Sequence, residues 1–417
     1  MELVGILVAF VGLMVMISRR VPLYIAMLAA SLVVLVSAGV GPMGIARVVG
    51  EAVTHRDTMD LMLIVASITI MSHVLQKHGY FDKMVQALRV LLKSDALTLM
   101  FIPGLVGCMP MTGGAIVSAP MVWGLGKRIQ LSPERQSAAN LIFRHSWYFV
   151  FPFLPTYIMA ARLVDVEIYE MIGMLWPLTL VMMVAGYFFI LRPGLVKGLP
   201  KREDSETERP RIGAALYTFL RYGFPLILGL ALYMGFRVHL ALSLMIGLAV
   251  ALFQILFMNG PERPSLSVIP RLFWDGIDFA LVGTMAAIMV FRGAVNETTA
   301  FGQMVEAMMG AGIPLYLVAG GLAVIIGYIS ASHASTIAVL FPLIIPAAAA
   351  AGANHLTYIM IIYAFAFLSY LMSPLHLCQI LTNHYFEVSL GKVYRIYLPV
   401  IAVVAVTTAI LATIRGF

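Results

Sequence analysis

Long apolar segments separated by short polar loops run along almost the whole chain. Ten of them have the length and hydropathy of membrane-crossing helices. They cover about residues 3–18, 21–40, 60–76, 145–163, 170–191, 214–234, 238–258, 278–292, 355–385 and 394–414. The pattern therefore predicts an all-α integral membrane protein with about ten transmembrane helices.

Two further apolar stretches, at about residues 96–126 and 313–350, are each interrupted by a cluster of small polar residues. The clusters lie at residues 111–114 and 330–336. Broken backbone is tolerated at membrane depth only where protein or a water-filled cavity satisfies the freed polar groups. Each stretch is therefore predicted to form a re-entrant hairpin, which we call hairpin one and hairpin two.

The two halves of the chain share a pattern of prolines. Three prolines of the first half recur 222 residues later in the second half: Pro120, Pro152 and Pro177, then Pro342, Pro374 and Pro399. Weaker matches in the same order lie upstream of both sets. The chain is therefore predicted to contain two repeats, residues 1–192 and 213–417, joined by a polar cytoplasmic linker at 193–212.

Composition excludes a soluble globular protein. Hydrophobic residues make up 61% of the chain and charged residues 11%, with a mean hydropathy of +0.96, so the lipid bilayer is its expected environment. The net charge of +7 comes from basic residues in short loops that form no stripe, and no nucleic-acid partner is expected. The two cysteines lie in apolar segments and do not form a disulfide framework.

The distribution of basic residues predicts the topology. Placing the loop at residues 19–20 in the cytoplasm puts most of the 27 Lys and Arg residues on the cytoplasmic side. Both termini are then outside, hairpin one opens to the cytoplasm, and hairpin two opens outward. The two repeats would have inverted topology in the inner (cytoplasmic) membrane, which the chain crosses many times.

This arrangement resembles the ion transporter superfamily, which includes dicarboxylate, citrate and gluconate carriers and sodium/proton antiporters. Residues 102–120 and 332–342 are most similar to an uncharacterised membrane family placed in that superfamily. The resemblance implies a homodimer in which a moving transport domain carries substrate past a scaffold domain by an elevator motion. The dicarboxylate carriers have a Ser-Asn-Thr tip in both hairpins, whereas the tips here read Thr-Gly-Gly at 112–114 and His-Ala-Ser-Thr at 333–336.

The hairpin tips are predicted to contribute to a binding site, because the ends of two half-helices leave backbone amides and carbonyls unpaired. Glycine permits close backbone approach, and hydroxyls either donate to a carboxylate or accept onto sodium. The expected site residues of the tips are Thr112, Gly113, Gly114, Ser332, His333, Ser335 and Thr336. The alternative is that these small residues only let helices pack closely.

The proline-broken spans after each hairpin are the second expected contributors. Pro152, Pro155 and Pro374 remove helix hydrogen bonds and expose carbonyl groups. The polar residues on or after these breaks are Thr156, His376, Gln379, Thr382 and Asn383. A purely structural kink is the alternative, since neighbouring helices can satisfy a proline break.

Three basic residues in or near the spans admit two roles. His333 would bind an anion when protonated or titrate during proton coupling, or it would be a neutral residue bonded to its own turn. Arg292 would attract an anion or reach the membrane interface. Arg144 is interpreted as a cytoplasmic anchor.

Four acidic residues precede apolar spans in matched pairs. They are Asp57, Asp60, Asp275 and Asp278. Each is expected to cap a helix and to stabilise its positive N-terminal end, and none is expected to bind a cation.

The sequence favours a secondary active transporter of a small organic anion, a carboxylate, coupled to sodium or protons. A sodium/proton antiporter is one alternative, and the membrane subunit of a transporter that needs an extracytoplasmic binding protein is another. An enzyme is not expected, because no nucleophile–base or metal-ligand grouping stands out. A sodium ion at Ser335 and Thr336 is the only cofactor considered, and no other metal is expected.

Overall fold

The computed structural model of the chain describes residues 2–108, 114–195, 212–258, 266–298 and 314–416. The regular elements within these ranges are all helical. The helices of the first half are α1 (Glu2–Ser18), α2 (Leu23–Ser37), α3 (Pro42–Thr54), α4 (Arg56–Lys77), α5 (Tyr80–Leu91), α6 (Asp95–Gly107), α7 (Gly114–Arg128), α8 (Pro133–His145), α9 (Pro155–Leu163) and α10 (Ile168–Gly186).

The helices of the second half follow in chain order. They are α11 (Ile212–Phe236), α12 (Leu240–Met258), α13 (Ile269–Gly276), α14 (Phe279–Asn296), α15 (Leu315–Ser330), α16 (His333–Ala350), α17 (His355–Met372), α18 (Leu377–Tyr385) and α19 (Leu390–Arg415). The helix α10 continues through a π-helical turn, Tyr187–Leu191.

The prediction of an all-α integral membrane protein is confirmed. Among the described residues, eight helices are long and apolar enough to cross a membrane: α4, α10, α11, α12, α14, α16, α17 and α19. The count differs from ten for two reasons. Helices α1 and α2 have only 17 and 15 residues, and the span predicted at 145–163 is not one continuous helix, whereas the hairpin arm α16 reaches full length.

Both proline-broken spans are interrupted where the sequence places the prolines. Helix α8 ends at His145, a 3-10 turn follows, and α9 begins at Pro155, where a missing N–H costs nothing. In the second half α17 ends at Met372 and α18 begins at Leu377. The start of the first span is wrong by about three turns, because the polar residues after Ser132 are helical in the structure.

The helices pack mainly within two groups. A flanking group contains α1–α5 and α11–α14, and a hairpin group contains α6–α10 and α15–α19. Contacts between the groups are sparser and include α4 on α9, α1 on α15 and α14 on α16.

The two halves exchange partners reciprocally within each group. Helix α4 packs on α12, and its counterpart α14 packs on α2. In the hairpin group α7 packs on α18, and its counterpart α16 packs on α9. Each half therefore completes the packing of the other, and the broken spans lie against hairpin arms of the opposite half.

Two of the four aspartates lie in the first turn of a helix or before it, as expected. Asp278 caps α14 and accepts a hydrogen bond of 2.9 Å from the Leu281 amide. Asp57 lies in the first turn of α4, where His55 is the capping residue. Both carboxylates are next to a positive helix end.

The capping prediction is wrong for the other two aspartates. Asp60 forms an ion pair of 2.8 Å with Arg162 at the end of α9, and His239 Nε2 lies 3.2 Å from its other oxygen. Asp275 lies near the end of α13 and pairs with Arg271 across 3.6 Å. The Asp60 pair connects the flanking group to the hairpin group.

Candidate functional site

A buried polar network joins the two broken spans to an arm of hairpin one. Asn140 on α8 donates to Thr382 Oγ1 on α18 across 3.1 Å, and Ser137 donates to Asn383 Oδ1 across 2.7 Å. Ser118 on α7 donates to Asn140 Oδ1 across 2.7 Å. All five side chains are buried. We call these five residues the amide cluster.

The sequence predicted only two of the five residues of the amide cluster. Thr382 and Asn383 were predicted, but Ser118, Ser137 and Asn140 were not. The missed signal was the helix start at Ser132-Pro133, a capping residue followed by proline, which makes the polar stretch after it helical. Ser137 and Asn140 then lie three residues apart and face the same side.

Two histidines and a cysteine come together where the two broken spans are interrupted. The ring of His145, the last residue of α8, is centred 5.0 Å from the ring of His376, which precedes α18. The ligand atoms of His145, His376 and Cys378 all lie within 4.8 Å of one another. Both histidines are buried. The sequence did not reveal this grouping, because His145 lies more than 200 residues away from His376 and Cys378.

Arg144 lies beside this group and is buried, unlike a cytoplasmic anchor that reaches water. It is 5% exposed, and its Nη1 has no hydrogen-bond partner. None of the carboxylates in the described ranges pairs with it. An added Cβ at Gly107 would clash with the Arg144 carbonyl, so the first arm of hairpin one lies directly against it.

The tip of hairpin two is a tightly bonded turn. Ala331 adopts a left-handed conformation (φ 49°), and Ser332 caps α16. Ser335 donates to Ser332 Oγ across 2.7 Å, and Thr336 donates to the Ser332 carbonyl across 2.9 Å. The hydroxyls of Ser335 and Thr336 therefore donate their hydrogen bonds within the turn, and the lone pairs of their oxygens can still accept a hydrogen bond or bind a cation.

His333 is buried and is bonded to a neighbouring helix and not to its own turn. Its Nε2 donates to the Tyr363 carbonyl on α17 across 3.1 Å, which leaves Nδ1 as an unprotonated and unpaired atom. The rings of Tyr148 and Phe367 lie beside it, centred 6.4 and 5.6 Å away. A proton accepted at Nδ1 would therefore lie among aromatic rings.

The remaining predicted residues are distributed along the breaks. Pro152 and Pro155 are buried at the first break, Thr156 is half-buried in the first turn of α9, and Pro374 is exposed at the second. Gln379 is buried, and its oxygen accepts from Tyr397 across 2.7 Å while its amide nitrogen is unpaired.

Two further residues are placed by the helix that begins there and by a side-chain bond. Gly114 begins α7, and the half-buried Arg292 donates to the Arg162 carbonyl across 3.3 Å. Thr112 and Gly113 lie outside the described residues.

The fold and this centre define a polytopic helical membrane protein with a buried polar core between two interleaved halves. The chain belongs to the family described as "Protein of unknown function (DUF401)", whose family model matches residues 4–415. It is similar in fold to the YdaH transporter of Alcanivorax borkumensis, with 14% identity, a TM-score of 0.64 and 89% of each chain covered. A search of curated proteins finds no match to the chain.

Proposed function

We propose that the protein is a secondary active transporter of a small organic anion, a carboxylate, driven by a sodium or proton gradient. The observation that carries the proposal is Arg144, a buried guanidinium with an unpaired Nη1 and no acidic partner among the described residues. Burying a charge without a counter-ion costs on the order of several kcal/mol. An anionic substrate would supply the missing charge.

Arg144 and the unpaired polar groups of α18 suit a carboxylate. A guanidinium binds a carboxylate through two parallel hydrogen bonds, and further donors strengthen the interaction. The Gln379 amide nitrogen is buried and unpaired, and so are the ring nitrogens of His376, of which the protonated one can donate. These residues lie on α18 or at its start and α8 carries Arg144, so the proposed site is shared between the two halves.

Alternating access is the proposed mechanism. The reciprocal exchange of partners between the halves supports two inverted repeats, and the sparse contacts between the two helix groups support an elevator motion of the hairpin group. The neighbour of similar fold is a transporter by its description. A homodimer, with the flanking group as its fixed part, belongs to this proposal.

Sodium at the Ser335 and Thr336 hydroxyls or a proton at His333 would couple transport to a gradient. The sodium/proton antiporter is the weaker alternative, because the buried polar residues in the described ranges include no Asp or Glu. A subunit that depends on an extracytoplasmic binding protein remains the third candidate. Uptake that appears only after such a soluble protein is added would identify it.

Uptake into proteoliposomes tests the proposal. Protein reconstituted alone should accumulate at least one of succinate, citrate or gluconate when an inward sodium or proton gradient is imposed, and collapsing the gradient should abolish accumulation. Gradient-driven exchange of sodium for protons without movement of any organic anion would establish the antiporter instead.

A further inference from the structure

We infer that His145, His376 and Cys378 form a binding site for a thiophilic transition-metal ion of the Zn²⁺ class. One ligand atom from each residue lies within 4.8 Å of the other two. His145 ends α8 in the first half, and His376 and Cys378 begin α18 in the second half. An ion at this place would fasten the two broken spans to each other.

The hydrogen bonding of His145 is that of a metal ligand. Its Nδ1 lies 2.8 Å from the Leu141 carbonyl, and because a carbonyl only accepts, Nδ1 carries the ring proton. Nε2 is then an unprotonated lone pair, buried and without a partner. Metal-bound histidines commonly donate their second nitrogen to a carbonyl in this way, which fixes the tautomer.

The ring of His376 is even less satisfied by hydrogen bonds than that of His145. The residue is 1% exposed, and neither ring nitrogen makes a hydrogen bond. The Tyr370 ring lies beside it, with 4.0 Å between the two ring centres. A buried imidazole with two unsatisfied nitrogens is costly, and coordination of one of them would relieve that cost.

Cys378 supplies the soft ligand of the set. Its side chain is half-buried beside the two buried histidines, and the thiolate is the form of cysteine that binds a metal. Two imidazoles and one thiolate suit zinc, cobalt or copper and do not suit magnesium or calcium. Zn–N and Zn–S bonds of about 2.0 and 2.3 Å place tetrahedral ligands roughly 3.3–3.6 Å apart, so small side-chain rotations would close the site.

A buried histidine and a buried cysteine outside the ligand group provide control variants. His333 bonds the Tyr363 carbonyl, and neither it nor Cys108 belongs to the ligand group, although both are buried. His333→Gln and Cys108→Ser therefore change the same residue types in the same protein interior. They should leave metal binding intact.

Cobalt titration of the purified protein tests the inference. Co²⁺ should bind at one ion per chain with a thiolate-to-metal charge-transfer band, and Zn²⁺ should displace it. Cys378→Ser should abolish that band, His145→Gln and His376→Gln should weaken binding at least about tenfold, and the two control variants should behave as the wild type. A band retained in Cys378→Ser, or lost in Cys108→Ser, would overturn the inference.

X-ray absorption of the Zn²⁺-loaded wild type covers the case in which a variant fails to fold. One sulfur at about 2.3 Å and at least two nitrogens at about 2.0 Å are expected. A shell of oxygen and nitrogen alone would refute the site. Neither measurement involves a transported substrate, so its failure would leave the proposed transport function untouched.

Discussion

The side-chain amide of Asn140 donates a hydrogen bond of 3.1 Å to Thr382 Oγ1, and this bond links the broken span of one half to that of the other. The same amide nitrogen lies 3.1 Å from the Ala115 carbonyl on hairpin one. Buried polar networks with every member bonded hold their elements in one arrangement. Asn140 thus fixes how three helices meet beside Arg144.

Replacing Asn140 by Ala should destabilise the protein by about 1–3 kcal/mol, because buried groups of Ser118 and Thr382 would lose a bonding partner. Thr407→Ala is the control, since Thr407 is half-buried and its hydroxyl bonds only the Val403 carbonyl of its own helix. Thermal unfolding in detergent measures both variants. Equal melting temperatures for the two would show that the network contributes nothing to stability.

The close approach of hairpin one to α8 gives a second prediction. A Cβ at Gly107 would meet the Arg144 carbonyl, whereas a Cβ at Gly124 on the other arm meets nothing within 4 Å. Gly107→Ala should therefore cost about 1–3 kcal/mol of stability and impair transport, and Gly124→Ala should do neither. If Gly107→Ala unfolds and transports as the wild type does, hairpin one does not pack on Arg144 as described.

The ion pair between Asp60 and Arg162 connects the two helix groups, and a double-mutant cycle can measure it. Both side chains are at least two-thirds buried, at 16% and 32% exposure. Asp60 and Arg162 are replaced by Ala singly and together. The free energies of unfolding, from heat or denaturant, should reveal a coupling energy of about 1 kcal/mol between them. The Arg271–Asp275 pair is the control, because its side chains are 82% and 38% exposed and should show little coupling. Equal coupling in both pairs would contradict a special role for Asp60.

Hairpin two distinguishes the coupling ions. If sodium binds there, Ser335→Ala or Thr336→Ala should raise the sodium concentration needed for half-maximal uptake, and saturating sodium should restore most of the rate. If protons couple transport, His333→Gln should flatten the pH dependence of uptake across the histidine range and leave sodium dependence unchanged.

Thr413→Ala controls for loss of a hydroxyl, since Thr413 is exposed on α19 and bonds its own helix. Sodium and pH responses that are identical to the wild type in all three hairpin variants would show that the tip serves packing alone.

The sequence predicted the helical membrane fold and the two breaks well, because proline and long apolar segments act locally. It did not predict the centre. His145, His376 and Cys378 come together only through the packing of α7, α8 and α18, which no local pattern reveals. Arg144 was misjudged for the same reason, since a basic residue expected at a span end resembles an anchor until its burial is known.

The melting temperature of Arg144→Met, measured without substrate, tests independently whether the Arg144 guanidinium is an unpaired charge. A buried guanidinium without a counter-ion is a cost to the folded state, so an apolar side chain of similar length should leave the melting temperature unchanged or raise it. An arginine that serves structure would instead lower it on removal. Arg135→Met is the control, because Arg135 donates to the carbonyls of Phe189 and Ile190 and should lose stability.

The most direct test of the central claim measures ligand-induced stabilisation of Arg144→Gln beside the wild type and Arg135→Gln. Succinate, citrate and gluconate are each titrated with and without sodium, since a ligand that binds only the folded state raises the melting temperature. We expect at least one of them to stabilise the wild type and Arg135→Gln, and to bind Arg144→Gln about 30-fold or more weakly, equivalent to roughly 2 kcal/mol. The same stabilisation in Arg144→Gln as in the wild type would contradict the assignment of Arg144 as the anion-binding residue.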